Sequence, residues 1–205
     1  MGVIMSGILS KVSGKVAGVV GAAWKDKAYL RAWVKPANPQ TVAQVTQREK
    51  FSRAVEFAKP LVGQIFNEYT DRFQKSMSGF NAFIKRNLAA FVLPIAYNLI
   101  KLTEGPLSYL DITSAQLLGT TLTVSFNPNY GNNGLPTDEV FFAAVDITTG
   151  VFFFPSAPVV RIAGAIDCTV AAGTLAANLR VWTFAAQRVS GVVKMISDSW
   201  YSTVT

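Results

Sequence analysis

Thr120-Thr121-Leu122-Thr123-Val124-Ser125-Phe126 is the stretch on which the fold turns, because apolar and hydroxyl residues alternate through it without a break. A period of two is that of a half-buried strand, and it excludes an amphipathic helix. Working outward, Ser108–Leu118 reads as a strand and turn, and Asn127-Pro128-Asn129-Tyr130-Gly131-Asn132-Asn133-Gly134-Leu135-Pro136 as a long loop. Asp138–Ile147 and Val151–Phe154 flank Thr148-Thr149-Gly150, a hairpin signal, and Val159–Ile162, Ile166–Val170, Ala177–Ala185 and Val192–Tyr201 supply further strands. Seven or so short strands separated by turns predict an antiparallel β-sandwich of immunoglobulin-like size, about 100 residues, over 98–205. Trp182 is its expected buried aromatic centre. The antibody-type Cys-Trp-Cys pattern is absent, so architecture is expected without that signature.

Upstream the period changes. Thr41 and Gln44 have capping-box spacing and open a helix that runs to about Lys59, with Val45, Phe51, Val55 and Ala58 on one face. Pro60 ends or kinks that helix, or opens the next. Leu61, Ile65, Tyr69 and Phe73 fall at four-residue spacing, and Phe80, Phe83, Ile84, Leu88 and Phe91 mark a third amphipathic run from Met77. Two to three helices over 38–97 therefore precede the strands, and the fold class expected is α+β.

Pro36-Ala37-Asn38-Pro39-Gln40 is a hinge, since two prolines and an asparagine exclude helix and central strand. Before it, over 1–37, lies an extended basic arm with Gly2, Gly7, Gly14, Gly18 and Gly21 set among Ile4, Ile8, Leu9, Val12, Val16, Val19 and Val20. Each interior glycine costs a helix about 1 kcal/mol against alanine. The same residues are too apolar for a solvated tail. Such a segment gains order in a groove or along a sheet of a neighbouring subunit, or by folding back onto its own β domain. Its end, Trp24 to Lys35, mostly alternates apolar with charged residues and reads as a strand with one polar face.

The charge is divided as sharply as the periodicity. Residues 1–101 hold fifteen Lys/Arg and five Asp/Glu, a net of +10, and 102–205 hold four and seven, a net of −3, which sum to the chain's +7. Apolar residues make up 50% and charged ones only 15%. Since an ordinary soluble domain carries about 25% charged residues, extensive protein contact is expected.

Chemistry is scarce. Without histidine and with Cys168 as the one cysteine, one copy builds no His or Cys metal set and no intrachain disulfide, and a serine or cysteine nucleophile has no imidazole base. Cys168, in an alternating run, is expected to be a small buried hydrophobe. Ser13-Gly14-Lys15 fails as a phosphate-binding loop because Val16 follows the lysine. The carboxylates of the second half, Glu104, Asp111, Asp138, Glu139, Asp146, Asp167 and Asp198, are scattered over different elements. No catalytic residue, metal or cofactor is expected. The start lacks a basic region before its apolar residues, and the apolar runs are too short for a membrane span.

Several phrases together resemble an uncharacterised family encoded in Bacteroidetes, notably flavobacteria, and in their phages. They are Gly7-Ile8-Leu9, Ser13-Gly14-Lys15-Val16, Val19-Val20-Gly21, Trp24-Lys25 and Arg31, then Asn38-Pro39, Thr41, Gln44, Arg48 and Phe51, and finally the closing strand Ser197-Asp198-Ser199-Trp200-Tyr201. The Asn-Pro-x-Thr-x-x-Gln phrase and Met77–Ile84 also resemble helical modules of phage structural proteins. The resemblance implies a virion component and supplies no catalytic residues.

The expectation is therefore a non-enzymatic structural subunit of a phage-like virion, in capsid, head or tail, forming homo-oligomers or binding other virion proteins, with the arm of 1–37 and the helical docking region of 38–97 seated on neighbouring subunits. Candidate assembly contacts are Ile8, Leu9, Lys15, Trp24, Arg31, Trp33, Arg48, Phe51 and Phe80. Candidate contacts to nucleic acid or an acidic surface are Lys11, Lys25, Lys27, Lys35 and Arg53, where cations beside aromatics suit phosphate contact and base stacking. The alternatives are a surface-displayed or secreted adhesion module, with Tyr130 as ligand contact, and a nucleic-acid-binding protein acting alone.

Overall fold

A computed structural model describes residues 2–4, 14–24, 27–35, 37–38 and 40–205. Among these residues two α-helices and three antiparallel sheets give an α+β protein. It divides into two compact units, 1–44 and 45–205, so the helices and the later strands belong to one unit.

In the first unit the glycine-spaced arm forms a sheet of its own. Strands β1 (Gly2–Ile4), β2 (Gly14–Val16), β3 (Val19–Trp24) and β4 (Lys27–Ala32) lie in the order β1-β4-β3-β2. The expected strand from Trp24 to Lys35 is thus broken: Trp24 closes β3 opposite Lys27, and β4 stops at Ala32. Ala17, with φ at +52°, sits in the tight turn between the paired residues Val16 and Val19.

The second unit contains the helices. Helix α1 (Val42–Ala58) starts where Thr41 Oγ1 accepts the Gln44 N–H at 3.4 Å. Only its last turns face the core: Ala54 and Ala58 are buried while Phe51 is 51% exposed, which removes Phe51 from the expected apolar face. Pro60 opens a 3₁₀ turn, Lys59–Leu61, where its missing N–H costs nothing. A π-helical run, Val62–Thr70, follows and buries Ile65, Phe66 and Tyr69; the wider turn leaves Phe73 exposed, off the four-residue stripe. Helix α2 (Gly79–Asn87) is capped by Ser78 Oγ, which accepts the Asn81 N–H at 3.3 Å.

The strands are β5 (Asp111–Leu118), β6 (Thr121–Asn127), β7 (Glu139–Asp146), β8 (Phe152–Phe153), β9 (Val159–Val160), β10 (Ala165–Thr169), β11 (Leu179–Val189), β12 (Val192–Ile196) and β13 (Trp200–Thr203). One sheet has the order β10-β6-β5. The other centres on β7 and β11, with β8 and β9 beside β7 and β12 and β13 beside β11. The central pair is apolar on both faces. Phe141, Ala143, Val145, Trp182, Phe184 and Ala186 share one core with Leu61, Ile65, Phe66, Phe83 and Phe91 of the helical segments. Their alternates Val140, Phe142, Ala144, Val181 and Ala185 share a second core with Leu122, Val124, Phe126, Ile166 and Cys168. The helices are therefore one wall of this unit's own core.

Trp182 is fully buried, as expected, but on the helix side of its sheet. Its Nε1–H donates to Ile100 O at 2.8 Å, and the Phe57 ring meets it edge-on at 5.7 Å.

The closing phrase is a break between strands. Ser197 Oγ accepts the Ala185 N–H at 2.9 Å, Asp198 Oδ1 that of Gly105 at 3.1 Å, and Ser199 Oγ that of Leu102 at 2.9 Å. Ser197 thus ties the phrase to β11 while Asp198 and Ser199 hold 102–105, and the strand expected over 192–201 becomes β12 and β13.

Burial gives two groups the same pH behaviour. Desolvation first and Asp167 second push the Cys168 thiol up to about 12, and desolvation followed by Glu139 pushes Tyr69 to about 12. A folded-state pKa above the unfolded one means stability that is complete below the unfolded value and lost as pH rises through the folded one. For Tyr69, 3% exposed, that loss is expected to reach about 2–3 kcal/mol between about pH 10 and 12. Urea unfolding across that range should show it, and Tyr69→Phe should flatten the decline.

Candidate functional site

Among its described residues the strands of the first unit form one sheet. Cross-strand register places Gly14, Gly21 and Leu30 in one row and Val19 beside Ala32, so with Ala28 these residues share one face. Lys15, Val20 and Arg31 form a row on the opposite face, which also carries Ala22 and Tyr29. One face is small and apolar, the other cationic and aromatic. Gly21 is buried, while Gly14, Lys15, Val19, Arg31 and Ala32 are exposed. Small residues leave little side chain above the backbone, so another sheet or helix can approach closely there.

On the cationic face Lys15 Nζ lies 3.6 Å from the centre of the Trp33 ring, and Trp33 remains 46% exposed. The Trp33 N–H donates to Gly18 O at 2.8 Å and extends the β3–β4 hairpin past its last pair. Arg31 and Lys35 are exposed. Trp24 and Lys27 end β3 and begin β4. Ile8, Leu9, Lys11 and Lys25 lie outside the described residues.

The remaining expected contacts belong to the second unit. Arg48 and Phe51 line an open hollow on α1 with Gln47, Ser52 and Val55. Phe80 is half-buried and packs edge-on against Phe66 at 6.3 Å, so it serves its own core. Arg53 donates to Phe91 O at 3.2 Å and pairs with Glu49 one turn away at 3.0 Å. Tyr130 stands 6.0 Å from the Arg161 guanidinium carbon, where it helps hold its loop.

Two polar constellations escaped the sequence reading. Arg161 has no exposed surface; its guanidinium donates to Asp138 Oδ2 at 3.5 Å, to Ser108 O at 3.0 Å, to Tyr109 O at 2.9 Å and to Asn129 O. Burial lowers its pKa, and Asp138 opposes that shift. Arg188 bridges Glu68 at 2.6 Å and Glu139 at 2.8 Å, which raises its pKa and ties the π-helical run to β7 and β11. A lone arginine in a strand-rich stretch gives no sign of such partners. The exposed rings of Tyr109 and Trp200 likewise stack at 5.3 Å, although 90 residues separate them in sequence.

Among the described residues no three His, Cys, Asp or Glu side chains gather as a metal set, and no helix is long and apolar enough to cross a membrane. The model of one family, described as "Family of unknown function (DUF6266)", matches residues 11–196. No curated protein and no solved structure matches the chain.

Proposed function

The chain belongs to the DUF6266 family, and we propose that it is a non-enzymatic assembly subunit that docks through its N-terminal sheet on copies of itself or on other proteins of a particle. The observation that carries this reading is the sheet of 2–32, whose face of Gly14, Val19, Gly21, Ala28, Leu30 and Ala32 has no second layer among the described residues of its unit. A few strands with one apolar face and nothing packed on it are marginal in water and gain stability when that face is covered. The second unit has two cores of its own and would act as the rigid body carried by that contact.

The particle we favour is a phage-like virion, in capsid, head or tail. Support comes from the resemblance of Asn38-Pro39, Thr41, Gln44, Arg48 and Phe51, and of Met77–Ile84, to helical modules of phage structural proteins. We read the two sheets around the second core as a β-sandwich of immunoglobulin-like size, displayed or packed into the shell. The cationic face, with Arg31 and Lys35 exposed, would meet an acidic protein surface or the genome.

Sedimentation of the purified chain and electron microscopy of material from its native source test this directly. Regular repeats in a particle are the expected result. A chain that stays monomeric and enters no particle overturns the reading.

A further inference from the structure

We propose that a cleft on the second unit, walled by Tyr109 and Trp200, binds a pyranose ring of a neutral glycan. The cleft encloses about 440 Å³ and has Lys101, Pro106, Asp198 and Ser199 among its other walls. That volume falls within the range of about 300–1,000 Å³ usual for small-molecule sites.

The two aromatic rings lie 5.3 Å apart and within 13° of parallel, so each covers one face of the other. Tyr109 is nevertheless 46% exposed and Trp200 45%. Large wetted aromatic surfaces beside a polar cleft suit a ligand with a weakly polar flat side and a polar rim. A pyranose has that form, with C–H groups across one face and hydroxyls around its edge.

The polar side matches in kind and in charge. Lys101 Nζ and Asp198 Oδ2 are 3.1 Å apart, so the cleft offers a donor and an acceptor to hydroxyls with no net charge. A phosphate polymer would meet the Asp198 carboxylate in the half of the chain whose net charge is −3. Asp198 Oδ1 already accepts the Gly105 N–H at 3.1 Å, which sets the carboxylate before a ligand arrives. Arg161 holds the carbonyls of Ser108 and Tyr109 from beneath, so the Tyr109 wall is also positioned in advance.

This site lies wholly within 45–205 and does not depend on the assembly reading. The test is calorimetric titration of the full chain with tetrasaccharides of β-1,4-linked glucose, mannose and N-acetylglucosamine, and with an oligothymidylate. Saturable binding of at least one saccharide is expected, weakened at least about tenfold in Tyr109→Ala and in Trp200→Leu. Tyr109 precedes β5 and lies in no strand, so Tyr109→Ala should lose its ring contact with Trp200, lower the unfolding midpoint only slightly, and decide the matter even if Trp200→Leu fails to fold. No saturable binding to any of the three saccharides, binding unchanged in Tyr109→Ala, or preference for the oligothymidylate would overturn the proposal. Sedimentation of Tyr109→Ala should match the parent, which separates this result from a failure of assembly.

Discussion

Arg161→Met is expected to destabilise the folded chain by about 3–5 kcal/mol, the usual cost of removing one partner from a buried ion pair. Four acceptors depend on this guanidinium: the Asp138 carboxylate, 1% exposed at its side chain, and the carbonyls of Ser108, Tyr109 and Asn129. Methionine fills much of the volume and donates nothing, so the loss reports on the orphaned acceptors more than on packing. The loop of 127–136 crowds the same site, for a Cβ at Gly134 would lie 2.9 Å from Arg161 Nη1 and 2.5 Å from Tyr130 O. Arg161→Met/Asp138→Leu should recover part of the loss, because replacing both charges by apolar groups removes the unpaired carboxylate. Recovery stays partial, since Asp138 also accepts the Leu135 N–H at 2.7 Å and a Gln187 N–H at 3.4 Å. Guanidinium unfolding measures both variants, and a loss below about 1 kcal/mol for Arg161→Met would remove this cluster from the account of stability. The expected loss has a functional consequence too, because Arg161 supports the backbone that presents Tyr109.

What periodicity could reveal here depended on how many faces of each strand are covered. Thr121 to Phe126 alternates because β6 has one buried face, and its limits were legible almost to the residue. Val140 to Val145 is continuously apolar because β7 is buried on both faces; that run marks a strand, yet it leaves open which layer covers each side. The missing layer was the helical segment. Its aromatic stripes were legible, but a stripe does not state whether its partner is another subunit or the same chain. The helix stripe failed locally at Phe73 for a related reason, since four-residue spacing assumes an α-helical turn and Val62–Thr70 is wound as a π-helix. The break at Ser197-Asp198-Ser199 was hidden differently. Its serines and aspartate accept backbone N–H groups from Ala185, Gly105 and Leu102, and nothing in a strand-like phrase indicates those distant donors. The candidate cleft is the extreme case, because Tyr109 and Trp200 lie far apart in sequence and stack beside the bonds that join Asp198 and Ser199 to 102–105.

Deleting residues 1–40 is expected to abolish assembly outright while 41–205 remains folded. The cut retains Thr41, whose hydroxyl caps α1, and both apolar cores lie within 45–205, so neither helix start nor core is touched. The two results should therefore separate: sedimentation should give a monomer, and the urea midpoint should stay within the range of a surface change, about 0.5 kcal/mol. A gentler variant asks which face of the sheet makes the contact. Val19 is 39% exposed and lies beside Ala32 on the apolar face, so a charge there meets the partner and not the sheet's own packing. Val19→Lys should thus weaken assembly strongly, whereas Arg31→Ala on the cationic face should weaken it only at low salt, as an exposed charge acting over a screened distance does. A loss from Arg31→Ala at all salt concentrations with none from Val19→Lys would move the contact to the cationic face. A truncated chain that still assembles would transfer the interface to the second unit, where the exposed Phe51 of α1 is the first residue to test.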